Sequence, residues 1–368
     1  MAKAEGAIII GKTSQDEFGF GTFGRNVGVG FPLPRNPYDL ERSCGGSSSG
    51  SGGFTALTKN THVSIAESTG GSIACPSSFC GVASITPTYG RVSRYGLLDY
   101  ASSLDKIGSM GKTVSDSALL LDIISGHDEK DSTSIKNQNT ILQKEGKNRK
   151  FRIGIPKDFL GSADEPVKKA FWEMIKKAES HGFDYEEISL PLNSKYGIAA
   201  YYLIAMSEAS TNLAKYCGIR YGASEPLQGS FDGYFSNVRS KNFGTEAKRR
   251  IILGTFARMS GFRDAYYLKA MKARTMLINE YKKIFSNYDF IAHPTMPILA
   301  PKFDEIAKLT PIQDYTMDLC TVPANLAGMP HLSLNISFVK NLPCGLMLTA
   351  NHLEEAKLVN AAELMEAL

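Results

Sequence analysis

The 368-residue sequence predicts a single α/β domain, and three observations lead to that class. Strand-like apolar runs alternate with helix-like segments over most of the chain, as expected for a sheet covered by helices. Residues 151–190 indicate a βαβ unit, because two strand-like runs flank an amphipathic segment. No part of the sequence repeats another, so we expect one domain over residues 1–368.

The first half of the chain is rich in loops. Residues 7–10 (AIII) are typical of a buried strand, and residues 13–60, with three prolines and many glycines, are predicted as loop. A short buried strand is expected at 63–66. Residues 113–125 predict a helix with Thr113 as its N-cap and a glycine at its end. Residues 128–150 are polar and are predicted to form a surface excursion.

The second half is more regular. A strand at 151–156 precedes the clearest helix, whose apolar positions between 167 and 178 follow helical spacing, with Pro166 in its first turn and Gly182 after its end. The remaining predicted elements are a strand at 187–190, helices at 199–216 and 245–285, strands at 290–292, 332–338 and 345–349, and a final helix at 354–368.

The composition fits a folded globular chain. Hydrophobic residues make up 43% and charged residues 21% of the sequence. The net charge of +4 is too small to indicate nucleic-acid binding by charge alone. No apolar run approaches the roughly 20 residues that a membrane helix needs, and the N-terminus lacks the layout of a signal peptide. We therefore expect a cytoplasmic protein without membrane contact.

The six cysteines follow no spacing typical of a disulfide framework or a metal site. Cys75 and Cys80 are too far apart for a CxxC motif, and no histidine pair lies near them. Buried free thiols and no metal are expected. The cysteines are Cys44, Cys75, Cys80, Cys217, Cys320 and Cys344.

Two glycine- and serine-rich clusters, residues 45–51 (GGSSSGS) and 69–72 (TGGS), carry the functional signal. Such runs are often flexible linkers, but apolar residues border the second cluster closely on both sides. An ordered loop is therefore favoured. Because glycine leaves its backbone N–H uncovered, the pattern fits acyl transfer, which needs a serine nucleophile and amides that hold an oxyanion.

Ser72 is the candidate nucleophile, and the amides of Thr69, Gly70, Gly71 and Ser72 are the candidate oxyanion hole. The alternative is that Ser72 only caps the following helix. No histidine has a setting that fits a Ser-His-Asp triad. A GxSxG elbow is excluded, because Ala74 stands where it requires glycine. These observations favour a serine network in which the Ser47 hydroxyl relays the proton.

The motifs together resemble the amidase signature family, over nearly the whole chain. They are residues 11–13 with 16–18, 35–37, 45–48, 69–73, 79–82, 87–96, 101–108, 126–128, 131–134, 321–328 and 342–346. The resemblance implies a mixed central β-sheet flanked by helices. It also implies a Ser-cisSer-Lys triad, with Ser72 as the acyl-ester nucleophile and Ser47 as the charge relay.

Within this family the chain is most similar to the glutamine-hydrolysing A subunits of tRNA-dependent amidotransferases. The similarity implies that Arg250 holds the α-carboxylate and Asp318 the α-amino group of glutamine, with Tyr201 or Tyr202 lining the pocket. Arginine pairs with carboxylates in a bidentate manner, and aspartate accepts from an ammonium group. The alternatives are a structural ion pair and a buried core aromatic, and the sequence does not distinguish Arg249 from Arg250.

The resemblance also implies partners. A B subunit, with ATP and magnesium, uses the ammonia to amidate misacylated tRNA that carries glutamate or aspartate, and a small C subunit is a further partner. No cofactor is expected on the A subunit itself.

The chain departs from the family pattern in four respects. The family's lysine lies upstream of the element at 11–13 and is absent from this chain, residues 58–62 include one extra residue, Ser68 replaces an aspartate, and Ala74 replaces an arginine. A general amidase of small amides, and a scaffold subunit with impaired catalysis, are therefore the alternative functions.

Overall fold

The computed structural model describes residues 1–28, 30–136, 138–143 and 150–368, and its ten strands form two sheets. The strands are β1 (Arg35–Asn36), β2 (Asp39–Ser43), β3 (Val63–Ser68), β4 (Ala83–Thr86), β5 (Lys106–Gly111), β6 (Phe151–Pro156), β7 (Phe183–Ile188), β8 (Phe290–Pro294), β9 (His331–Val339) and β10 (Leu342–Thr349).

The helices cover the sheet and build a second layer beside it. They are α1 (Ser49–Leu57), α2 (Ala74–Cys80), α3 (Val114–Ile124), α4 (Lys157–Leu160), α5 (Glu165–Glu179), α6 (Pro191–Asn212), α7 (Phe231–Asn242), α8 (Thr245–Arg258), α9 (Lys269–Ile284), α10 (Phe303–Ile306), α11 (Pro311–Thr316), α12 (Val322–Leu326) and α13 (Glu355–Glu366). Short 3-10 turns lie at Glu17–Gly19, Leu213–Lys215 and Met317–Leu319, and a π-helical turn at Asp264–Leu268.

The large sheet has eight strands in the order β3-β5-β4-β9-β10-β8-β6-β7. Strand β6 pairs in parallel with β7 and β8, and the other neighbours are antiparallel. The mixed sheet and its flanking helices confirm the predicted α/β class. The strands lie in three blocks, namely β3, β5 and β4 from residues 63–111, then β9, β10 and β8 from residues 290–349, and then β6 and β7 from residues 151–188.

The main core lies between the sheet and helices α3, α5 and α13. The apolar stripe of α5 packs Phe171 and Ile175 into this core. Lys176 and Lys177 lie in the last turn of α5, where their positive charges interact favourably with the negative end of the helix dipole. Helix α3 begins as predicted, because the Thr113 hydroxyl accepts from the amide of Asp116 at 3.1 Å. A second apolar cluster joins α6, α8 and α9 and supports one wall of the site described below.

Several element predictions are wrong in detail. Residues 7–10 form no strand, and Ile8 is 86% exposed, because these residues pair with no described strand. The loop predicted for 13–60 contains helix α1, built largely of glycine and serine. The strand predicted at 187–190 runs instead from Phe183 to Ile188. The helix predicted at 245–285 is two helices, because α8 ends at Arg258 and α9 begins at Lys269.

The polar segment 128–150 forms turns over its described part, while residues 137 and 144–149 lie outside the described residues. All six cysteines are free, and five are buried. Among the described helices, none combines the length and the apolar composition that crossing a membrane requires. Within the same ranges, no group of three His, Cys, Asp or Glu residues could hold a metal ion.

Candidate active site

The two glycine- and serine-rich clusters meet at one end of β3. The first cluster leads into α1, and the second turns from β3 into α2. The amide of Ser48 donates to the carbonyl of Ser72 at 3.1 Å, which fixes the clusters against each other. Both segments are therefore ordered and buried, as the interpretation against a flexible linker requires.

A small cavity opens where the clusters meet the helical layer. Its wall combines backbone from glycine-rich turns with polar side chains from α6, α8 and the turn before α12. The lining residues are Gly19, Gly21, Gly46, Gly71, Ser72, Tyr201, Tyr202, Arg250 and Asp318.

Ser72 faces this cavity and is 7% exposed. Helix α2 begins at Ala74 with Ile73 as its N-cap and without a capping side chain. The alternative in which Ser72 only caps the helix is therefore wrong. A buried hydroxyl at the wall of a polar cavity can attack a bound carbonyl carbon.

The backbone around Ser72 supplies free donors. In the part of the chain that the structure describes, the amides of Thr69, Gly70, Gly71 and Ser72 donate no hydrogen bond. Gly71 and Ser72 line the cavity, whereas the Thr69 side chain turns away from it toward Asp105. Unpaired amides beside a hydroxyl are the arrangement that an oxyanion requires.

Two glycines are needed for close approach. A Cβ on Gly71 would overlap the hydroxyl of Thr321, and a Cβ on Gly46 would overlap the carboxylate of Asp16. Both lining glycines therefore let neighbouring segments contact the cavity backbone directly.

Ser47 is completely buried next to the cavity, and the peptide bond that joins it to Gly46 is cis. Its hydroxyl makes no hydrogen bond within the described ranges. A proton relay from Ser72 needs such a bond, and the structure does not contain one. The lining likewise includes no lysine, and Lys12 is exposed outside it.

Arg250 is held in a cage of aromatic rings. Its guanidinium carbon lies 5.0 Å from the ring centre of Phe20 and 5.4 Å from that of Tyr202. Nε donates to Glu246 at 2.8 Å and one Nη donates to the Tyr100 hydroxyl. The other Nη has no hydrogen-bond partner among the described residues, and the side chain lines the cavity.

The choice between the two neighbouring arginines is thereby decided. Arg250 is 3% exposed, whereas the side chain of Arg249 is 38% exposed and pairs with Glu246. The structure therefore brings Arg250 to the cavity and leaves Arg249 outside its lining.

Asp318 lies on the same wall. One carboxylate oxygen, Oδ2, accepts from the Tyr202 hydroxyl at 2.7 Å and from the Thr22 hydroxyl at 3.2 Å. Oδ1 has no partner within the described ranges and remains available to a ligand. Burial raises the pKa of Asp318 to about 6.

Tyr201 and Tyr202 both line the cavity, from adjacent positions on α6. A Cβ on Gly70 would lie only 2.8 Å from the Tyr201 hydroxyl, so this ring packs against the nucleophile loop. Tyr202 instead supports Asp318 through the hydrogen bond given above.

Sequence reasoning missed the floor of the site. Asp16 accepts from the amides of Gly24 (3.1 Å) and Asn26 (2.7 Å), and burial raises its pKa to about 7. These bonds hold the turn that contributes Gly19 and Gly21 to the cavity. The motif at 16–18, which carries the family resemblance, is the sequence signal that could have pointed to the two glycines that follow it.

A family model described as Amidase matches residues 1–359. The chain belongs to the amidase family. Among its relatives are proteins named as the A subunit of glutamyl-tRNA(Gln) amidotransferase. The protein of that name from Archaeoglobus fulgidus is 47% identical over 359 residues, covering 97% of this chain and 76% of the relative. The one from Sulfolobus acidocaldarius is 43% identical over 370 residues, covering 100% and 77%.

Solved structures of the amidase family confirm the predicted fold. The glutamyl-tRNA(Gln) amidotransferase A subunit from Thermotoga maritima superposes with a TM-score of 0.82 at 37% identity, over 98% of this chain and 74% of that one. A structure described as an amidase gives a TM-score of 0.81 at 26% identity, over 100% and 76%.

Proposed function

We propose that this chain is the glutamine-hydrolysing A subunit of a tRNA-dependent amidotransferase. Relatives of that name, 43–47% identical over nearly the whole chain, support the assignment. The observation that carries it is the cavity itself. A serine hydroxyl with free amides stands in one pocket with an arginine and an aspartate, which is the set of groups that an amino acid with a side-chain amide requires.

Glutamine would bind by its two backbone charges. The free edge of the Arg250 guanidinium would pair with the α-carboxylate, and Oδ1 of Asp318 would accept from the α-ammonium group. The aromatic cage fixes the guanidinium before the substrate arrives, so little conformational entropy is lost on binding. These contacts direct the side-chain amide toward Ser72.

The reaction then proceeds in two steps. The Ser72 oxygen attacks the side-chain amide carbon, the carbonyl oxygen becomes an oxyanion held by the amides at 70–72, and the C–N bond breaks as the nitrogen takes a proton and leaves as ammonia. Water then attacks the ester on Ser72, which releases glutamate and returns the proton to the serine.

The hydroxyl proton needs an acceptor, and Ser47 is the adjacent group that we assign to relay it. The structure contains no hydrogen bond between the two hydroxyls and no lysine in the lining. Because a positioned general base contributes typically 10²–10⁴-fold, we expect slow turnover from this chain when it acts alone.

The ammonia would pass to a companion B subunit, which would use ATP and magnesium to amidate glutamate or aspartate on misacylated tRNA. A small C subunit would complete the assembly. We assign no cofactor to this chain itself, and we place it in the cytoplasm, where translation takes place.

The direct test uses hydroxylamine, which captures an acyl-enzyme as a hydroxamate. We expect purified chain with glutamine and hydroxylamine to form γ-glutamyl hydroxamate, and Ser72→Ala to form none. Ser115→Ala, an exposed serine on α3, serves as the matched control and retains the wild-type rate. Hydroxamate formation by Ser72→Ala would contradict the nucleophile assignment.

A scaffold subunit with impaired catalysis is the second candidate, and the unpartnered Ser47 hydroxyl favours it. A chain of that kind would form a complex with the companion subunit but would give no hydroxamate from any amide. Hydroxamate from acetamide or propionamide at a rate above that from glutamine would instead indicate a general amidase.

A further inference from the structure

A pair of carboxyl groups, that of the half-buried Glu67 and that of the fully buried Asp105, lies behind the nucleophile loop and has no part in the steps above. Glu67 is the penultimate residue of β3, and Asp105 directly precedes β5, the neighbouring strand. The hydroxyl of Thr69, the first residue of the loop, lies 2.8 Å from Oε1 of Glu67 and 2.8 Å from Oδ1 of Asp105. One side chain of the nucleophile loop therefore bridges two acids.

The number of protons decides the state of this bridge. A threonine hydroxyl has a single proton, so it can donate to one carboxylate only. The other carboxyl must then donate a proton to the Thr69 oxygen, because two oxygens 2.8 Å apart with no proton between them would repel each other. One of the two acids must carry a proton.

The surroundings decide which acid is ionised. Asp105 accepts from the amide of Tyr100 at 2.9 Å and from that of Ala101 at 2.9 and 3.0 Å, in addition to the Thr69 hydroxyl. Several donors stabilise a carboxylate. Glu67 receives no comparable set within the described ranges, so the proton belongs to Glu67, which donates to Thr69, which donates to Asp105.

Neighbouring charges support this order. Burial and the charge of Asp105 raise the pKa of Glu67 well above its usual value. Burial also raises the pKa of Asp105, to about 7, but the hydrogen bonds from Ala101, Thr69 and Tyr100 and the charge of Arg94 oppose that rise. Lys106, although adjacent to Asp105, directs its ammonium to the carbonyl of Met329. Glu17, on the turn that approaches Glu67 at Gly19, directs its carboxylate to the amide of Gly244.

We propose that Glu67 is a positioning residue that works as a neutral carboxylic acid, holding Thr69 against Asp105 and thereby fixing the amides of the nucleophile loop. The same network reaches the opposite wall, because Asp105 binds the amide of Tyr100 and the Tyr100 hydroxyl accepts from Arg250. The effect on turnover rests on the proposed function, whereas the protonation of Glu67 does not.

The first test compares thermal unfolding from pH 5 to 9 in the wild type, Glu67→Gln and the control Glu187→Gln. Glutamine donates to Thr69 as the acid does but cannot ionise, and Glu187 is exposed on the opposite edge strand. A raised folded-state pKa stabilises the wild type below the unfolded pKa, and this stabilisation is lost as the pH rises through the folded pKa. The unfolding temperature of Glu67→Gln, measured relative to that of the wild type, should therefore rise by about 3 °C from pH 5 to pH 9.

The control difference should stay constant. A constant difference for Glu67→Gln as well, parallel to the control, would overturn the proposal. If Glu67→Gln fails to fold, infrared spectra of the wild type decide instead. A protonated-carboxyl band that keeps its amplitude at pH 8, where Asp16 and Asp318 are mostly ionised, supports the proposal, and its absence at pH 8 overturns it.

The second test measures γ-glutamyl hydroxamate formation against pH. We expect kcat to decline on the alkaline side in the wild type and to remain level in Glu67→Gln, whereas Glu67→Ala loses at least tenfold at every pH. A decline that Glu67→Gln shares with the wild type would overturn the positioning role. If the wild type forms no hydroxamate, the proposed function fails, while the unfolding comparison still decides the state of Glu67.

Discussion

At the scale of single residues, Ser72 depends on neighbours that keep its surroundings polar but uncrowded. A Cβ on Gly71 would overlap Thr321, and a Cβ on Gly46 would overlap Asp16. Because glycine has no Cβ, the backbone itself can form the cavity wall at both positions. Arg250 and Asp318 are buried with part of their hydrogen-bonding capacity unused. Such unused capacity is costly unless a ligand meets it, which is why these residues point to a binding site.

The Asp318 carboxyl gives a prediction about pH. An ionised carboxylate accepts from the substrate ammonium group, and burial raises the pKa of Asp318 to about 6. Protonation below that pH removes the charge, so kcat/KM for glutamine should fall about tenfold per pH unit below pH 6. Hydroxamate assays at low glutamine from pH 5 to 8 measure this decline.

Asp318→Asn keeps the shape of the side chain and loses the charge. We expect kcat/KM to fall about 100-fold at pH 8, with most of the loss in KM and no remaining dependence on pH near 6. An unchanged KM in Asp318→Asn would show that the ammonium group binds elsewhere.

Prediction from sequence at this scale succeeds where a family motif marks the residue. The glycine-rich motif predicts Ser72, the resemblance implies Arg250, Asp318 and Tyr201 or Tyr202, and the structure brings all of them to one cavity. Asp16 and Glu67 were missed, because nothing in the sequence shows which carboxylates will accept from the amides of a nearby turn or share a hydroxyl with a second acid. The choice of Arg250 over Arg249 likewise depends on which face of α8 packs on α6.

At the scale of elements, α6 and α8 position the substrate end of the cavity. Gly254 lies one turn after Arg250 on α8, and a Cβ there would overlap the backbone carbonyl of Met206 on α6. The two helices are therefore in backbone contact at this glycine, and that contact sets how deeply Arg250 enters the aromatic cage.

Gly254→Ala must separate the helices. We expect it to lower the free energy of unfolding by about 2 kcal/mol or more and to raise KM for glutamine, because Arg250 moves with α8. Gly161→Ala is the matched control, since Gly161 has helical dihedral angles and room for a Cβ. Denaturant unfolding measures both variants, and equal stability of the two would contradict this packing.

Helix α1 shows why some elements could not be predicted. Its sequence, SGSGGFTAL, has low intrinsic helix propensity. It nevertheless forms a helix, because small residues allow close packing on α2, where a Cβ on Gly52 would lie 2.9 Å from the carbonyl of Pro76. Tertiary contact overrides local preference there, whereas the Thr113 cap of α3 and the apolar stripe of α5 are visible in the sequence and predict both helices.

At the scale of the whole molecule, the order of the sheet ties distant segments together. Strands from residues 63–111 pair with the β9–β10 hairpin at 331–349, which pairs with β8, and β8 pairs in turn with the βαβ unit through β6. The cavity draws on the same arrangement, since Gly19, Ser72, Tyr201, Arg250 and Asp318 come from well-separated parts of the sequence. Loss of one segment should therefore disturb all the others.

Scanning calorimetry tests this dependence. Because early, middle and late strands pair within one sheet, we expect one unfolding transition that includes both edge strands. Ligand-free Gly254→Ala should shift that transition as a whole to lower temperature. Two well-separated transitions, with the substitution affecting only one of them, would contradict a single cooperative unit.

The nucleophile itself can be identified by mass spectrometry after incubation with a reactive glutamine analogue such as 6-diazo-5-oxo-L-norleucine. We expect one covalent adduct, located on the peptide that contains Ser72, slowed by excess glutamine and absent from Ser72→Ala. An adduct on another residue, or equal labelling of Ser72→Ala, would contradict the assignment of this cavity as a glutamine-hydrolysing site.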